Sequence, residues 1–170
     1  MDPHAVFENF RRTVTEHYFD MNGRVGRAQF WYFVLAYIVF AFAALILQSV
    51  IFLPVLGLYH LALLLPCAGM GARRLQDIGR DGKLVWVFVL VAFVSQMIAT
   101  VSMLGAISMG FFGFLVFGPT LALISLINLA VLVVTMVLIY FWCQPGDPGS
   151  NAFGPPPPVF DPSRPVSPPA

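Results

Sequence analysis

Arginine supplies eight of the nine Lys and Arg side chains in this chain, and the arginines are clustered. Arg24 and Arg27 lie in the run Asn22-Gly23-Arg24-Val25-Gly26-Arg27-Ala28-Gln29-Phe30-Trp31. Arg73, Arg74, Asp77, Arg80 and Asp81 lie between Ala72 and Gly82, and Asn151 lies in Gly146–Gly154. Guanidinium groups hold carboxylates and phosphates through paired donors, so the chemistry on offer is anion binding. On one continuous helix Arg73, Asp77 and Arg80 share a face, which sets Asp77 between two guanidinium groups and turns Arg74 elsewhere. Gly79 and Gly82 are placed to end such a helix. Three readings stay open. The arginines anchor helices and touch anionic phospholipid headgroups, each contributing about 1 kcal/mol. Alternatively, Arg24, Arg27, Arg73, Arg74, Asp77, Arg80 and Asn151 fold together as a polar cap, or they form a ligand site.

Catalysis is not expected. Asp77 and Asp81 have the form of paired carboxylates, but flanking arginines explain them through charge pairing. No HExxH, GxSxG or P-loop pattern occurs. Cys67 and Cys143 lack any CxxC or Cys/His spacing, so no metal is expected, and no cofactor either. They read as small apolar residues near helix ends.

The elements that position these residues follow from where charge is missing. Ala28–Ala72 and Leu84–Gly146 contain no Asp, Glu, Lys or Arg. The whole chain is 59% hydrophobic and 10% charged, against about 25% charged in an ordinary soluble domain. A charge at the centre of a spanning helix costs on the order of 3 kcal/mol. Both blocks therefore belong in a bilayer, and a nucleic-acid partner is excluded. As one helix, Ala28–Ala72 would run about 68 Å, more than twice the roughly 30 Å of hydrocarbon. It divides at Pro54 and Gly57 into spans at 30–53 and 56–72, the second kinked by Pro66. The second block holds spans at 84–104 and 120–143. The Phe-rich segment 105–119 between them is a loop, an interfacial segment or a helix extension. The fold class is an all-α membrane protein, four transmembrane helices as two hairpins.

Residues 1–29 form an amphipathic N-terminal segment, with Asp2 as cap and Pro3 in the first turn. Phe7, Phe10, Val14 and Tyr18 share one face of that helix, which lies in the headgroup plane or docks on the protein. Residues 144–170 carry ten of the fourteen prolines and read as a disordered tail. Arg11, Arg12, Arg24 and Arg27 precede the first span, and Arg73, Arg74, Arg80 and Lys83 separate the second from the third. Two spans lie between these groups, so the positive-inside rule puts both, and both termini, in the cytoplasm. Within the spans, Gln96 and Asn128 are candidates for an interhelical hydrogen bond worth about 0.6 kcal/mol. Of His, Asp, Glu, Lys and Arg, His60 alone lies there, which argues against proton-coupled transport.

Three motifs in this order carry a resemblance: Gly-Arg-x-x-Arg-x-x-Phe-Trp at Gly23–Trp31, Ala-Arg-Arg-Leu-x-Asp-Ile-Gly-Arg at Ala72–Arg80, and Gly-x-x-Gly-x-Asn-x-aromatic-Gly at Gly146–Gly154. Over roughly residues 7–154 the chain resembles the bacterial inner-membrane proteins grouped as domain of unknown function 805. Gln76 stands where that group commonly has His, Lys83 where it has an aromatic residue, and Phe153 where Tyr is frequent. The resemblance implies a small multi-pass inner-membrane protein and brings no activity with it. The expected function is a non-enzymatic structural or interaction protein with an Arg-rich cytoplasmic face. Membrane lipids would be its partners, and a protein partner or homo-oligomer stays open. The alternative is a subunit of a small-solute or ion transporter or channel.

Overall fold

The computed structural model describes residues 3–51 and 55–159. The expected cap Asp2, the break at Pro54 and the tail residues 160–170, with Arg164, lie outside them. The described residues form five α-helices and no strand: α1 Pro3–Thr15, α2 Arg27–Ile51, α3 Val55–Asp77, α4 Lys83–Ser108 and α5 Phe111–Cys143. The last four are long and apolar enough to cross a bilayer. The chain divides into two compact units, one running to Gly82 and resuming at Trp142, the other Lys83–Phe141.

In the first unit α1 packs on α2 and α3. Its buried residues are Ala5, Asn9 and Thr13, so the face turned inward is rotated from the one the aromatic spacing suggests. Phe10 still contributes, stacking on Phe33 at 5.5 Å, whereas Phe7 is exposed. Burial of the polar pair is compensated: Asn9 Nδ2 donates to the Gln29 carbonyl at 2.9 Å, and the Thr13 hydroxyl to the Asn9 carbonyl at 2.8 Å. On the outer side Glu8 accepts from Arg11 and Arg12. The hydrogen bond from Arg11 holds the Glu8 carboxyl below the usual carboxylate range.

Pro66 lies inside α3 and lacks the N–H that would close onto the Ala62 carbonyl. The Tyr18 hydroxyl takes that place, donating to Ala62 O at 2.6 Å. The N-terminal arm thereby satisfies an acceptor that the helix itself leaves open. Gln48 of α2 accepts from the Leu56 N–H at 3.2 Å, capping the first turn of α3. Tyr59 donates to the Tyr37 carbonyl at 2.7 Å. Val25, Phe30, Phe33 and Met70 form the buried core, with Phe10, Val34, Cys67 and Trp142 packed against it. Both cysteines are free thiols, Cys143 exposed.

In the second unit, Ser95, Ser102 and Ala106 are buried along one face of α4. Such small side chains let helix backbones approach, and Gly113 of α5 sits directly against Ala106. The Ser95 hydroxyl lies 3.0 Å from Asn128 Oδ1. Gln96 is exposed, so the polar pair across these helices is Ser95 with Asn128 rather than Gln96 with Asn128. The Phe-rich segment 105–119 proves helical. α4 runs to Ser108, the chain turns at Gly110 with φ 58°, and α5 begins at Phe111 and continues through Pro119.

Candidate functional site

The site is built on the last turn of α3. That turn stops at Asp77 because Gly79 adopts a left-handed φ of 72°. The Arg80 N–H bonds the Leu75 carbonyl at 3.0 Å and the Gly79 N–H bonds the Gln76 carbonyl at 3.1 Å. This is the Schellman arrangement, in which residues past the helix satisfy its final carbonyls. An L side chain at Gly79 would strain that backbone.

Asp77 occupies the centre, 3% exposed. Its Oδ1 accepts from Arg24 Nε at 3.0 Å, and its Oδ2 from Arg74 Nη1. The Arg24 side chain is 1% exposed and that of Arg74 is fully buried. Burying three charges is tolerable only when hydrogen bonds complete the pairing. Arg24 Nη1 donates to the Gly149 carbonyl at 2.6 Å and the Gly154 carbonyl at 3.3 Å. Its Nη2 donates to the carbonyls of Asp147 and Asp77. Arg74 Nε donates to the Trp142 carbonyl at 3.1 Å, and its Nη2 to the Gln144 carbonyl. The Trp142 carbonyl belongs to the last turn of α5, where acceptors have no helical partner and a cation opposes the helix dipole.

The segment after α5 completes the enclosure. The Asp147 N–H donates to the Asp77 carbonyl at 2.8 Å. Asn151 Nδ2 donates to the Gln76 carbonyl at 2.9 Å and to Asp147 Oδ2 at 2.8 Å, while its Oδ1 accepts from the Phe153 N–H at 2.9 Å. Gly146 sits against the Asp77 carboxylate, and a Cβ there would overlap it. The Trp142 indole donates to the Gly71 carbonyl at 3.1 Å and its ring lies 5.0 Å from that of Phe30. Residues 144–154 are thus held in place and do not belong to the loose tail expected from Gln144 onward.

Of the sequence-selected residues, the fold brings together Arg24, Arg74, Asp77 and Asn151. The expected sandwich of Asp77 between Arg73 and Arg80 does not form. The helix ends before Arg80, which is exposed, and Arg73 turns to the N-terminal arm, 3.6 Å from Asp20 Oδ2. Arg73 is buried, its Nη2 resting 3.3 Å from Met70 Sδ. Arg27 is exposed and stands outside the cluster. Arg74, expected to point elsewhere, is the second partner of Asp77. A three-residue spacing on a helix juxtaposes side chains as well as a four-residue one, and that was the available signal. The carbonyls of Trp142, Gln144, Asp147 and Gly149 carried no signal, because every residue has one.

The arrangement can bind and orient chain segments. Both Asp77 oxygens are engaged by guanidinium groups of the chain itself. Among the described residues no group of His, Cys, Asp and Glu is placed to hold a metal ion. Residues 18–155 match the family model described as protein of unknown function DUF805. No curated protein and no solved structure matches the chain.

Proposed function

The chain belongs to that DUF805 family, and we propose that it is a non-enzymatic structural or interaction protein of the bacterial inner membrane. In this reading the helices cross the bilayer as two hairpins with both termini cytoplasmic, and α1 lies at the cytoplasmic boundary. The Arg24–Asp77–Arg74 cluster is then a clasp. It ties the start of the first span, the end of the second and the exit of the fourth into one polar unit. One observation carries the proposal: all the donors of Arg24 and three of those of Arg74 are directed at the chain's own acceptors. A site built to receive substrate would hold such donors in reserve.

Reconstitution tests this. The purified protein in sealed liposomes should leave ion and small-solute flux at the rate of protein-free vesicles. A sustained flux would replace this reading with that of a transporter or channel. For orientation, Ser150→Cys and Gly110→Cys in a Cys67→Ala, Cys143→Ala background should label from opposite sides, Ser150→Cys from the cytoplasm.

A further inference from the structure

The basic side chains divide sharply by what they touch. Arg24 and Arg74 are enclosed in the clasp, and Arg73 is buried against Asp20 and Met70. Arg11 and Arg12 bond Glu8, and Arg80 and Lys83 also have intrachain interactions. Among the lysines and arginines of the described residues, Arg27 is the one left exposed without a hydrogen-bond or ion-pair partner. It is the first residue of α2, at the edge of an apolar span of 25 residues. Directly beyond it, Ala28, Trp31, Tyr32 and Leu35 line a shallow groove of about 360 Å³. These residues recur at helical spacing, so the groove runs along the helix from the charged end into the apolar stretch. Trp31 is partly exposed beside it, as suits a residue at the headgroup level.

A cation at the mouth of an apolar groove complements a molecule with an anionic head and a hydrocarbon tail. We infer that Arg27 and the Ala28–Leu35 face of α2 form a binding site for one anionic phospholipid. The phosphate pairs with the Arg27 guanidinium and an acyl chain lies along Trp31 and Leu35. Neighbouring arginines do not compete, because their donors are engaged within the fold. The inference rests on α2 being a membrane span and adds a lipid-selective position to it.

The test uses the full chain in nanodiscs of phosphatidylcholine doped with a photoactivatable phosphatidylglycerol or a phosphatidylcholine carrying the same acyl-chain probe. Adducts are mapped by mass spectrometry. The phosphatidylglycerol probe should label the Ala28–Leu35 peptide preferentially. Arg27→Gln should lower that labelling about fivefold, the equivalent of about 1 kcal/mol for a basic residue at an anionic surface. Arg27→Lys should retain most of it, and Arg11→Gln should leave it unchanged. Equal labelling of this peptide by both probes, or labelling that Arg27→Gln does not reduce, overturns the lipid site while leaving α2 a span. Absence of labelling on α2 by either probe overturns the site together with the span beneath it.

Discussion

The clasp and the α4–α5 unit solve the same problem with opposite means. Around Asp77, three charged side chains are buried and directional bonds reach chain segments on both sides of the second unit's sequence. In α4 and α5, most side chains are exposed and apolar, including Leu90, Val101, Leu126 and Val133. One side-chain hydrogen bond, Ser95 to Asn128, and the contact of Gly113 with Ala106 mark their approach. Lipid is as apolar as leucine, so burying leucine between spans contributes little drive for association. Matched dipoles and charges discriminate among arrangements far more strongly. The specificity of the first unit is therefore concentrated in the Asp77 clasp.

That contrast can be broken by substitution. The largest effect is expected for Asp77→Ala, which leaves two arginines buried without a counter-charge and should cost about 3–5 kcal/mol. Thermal unfolding of the detergent-purified protein, together with its accumulation in cells, measures this; a wild-type melting profile would remove the clasp from its central position. Gly146→Ala forces a methyl group into the Asp77 carboxylate. It should cost about 1–3 kcal/mol and raise hydrogen exchange across 144–154, whereas Gly149→Ala, with open space around it, should not.

Next, Tyr18→Phe strands the Ala62 carbonyl that Pro66 already leaves unpaired. A loss of about 1–2 kcal/mol is expected, along with faster exchange in the 16–22 arm. A result indistinguishable from wild type would mean water serves that carbonyl equally well. Ser95→Ala, in the apolar unit, should cost only about 0.6 kcal/mol; a penalty as large as that of Asp77→Ala would erase the contrast between the two regions. The smallest effect concerns acid. The folded-state pKa of Glu8 is lowered, chiefly by its hydrogen bond from Arg11. Its contribution is therefore complete above the unfolded-state pKa and is lost as pH falls through the folded one. Exchange at α1 should rise in that acidic window.

Much of this architecture was legible in the residue order. The charge-free blocks located the four long helices within a few residues at most ends, because a bilayer tolerates no other placement of charge. The second of these helices runs past the expected span end at 72, through Arg73 and Arg74 to Asp77, but stops before Arg80, because Gly79 turns the chain there. The fourth began earlier, as apolar glycine-containing sequence continues a helix readily once its neighbours are apolar. The buried face of α1 differs from the one that aromatic spacing indicates, because Asn9 and Thr13 are buried through bonds no spacing rule anticipates.

What the sequence determined alone was the partition of the chain between oil and water. That partition is a sum of large, local transfer energies, and each residue contributes to it whatever its neighbours do. What only the tertiary structure decided was which arginine answers Asp77, and where the freed carbonyl of Ala62 finds its donor. Those choices compare contacts between residues far apart in the chain, differing by a few kcal/mol among several chemically equivalent candidates. Arg73, Arg74 and Arg80 are identical as letters, and the course of the backbone separates them.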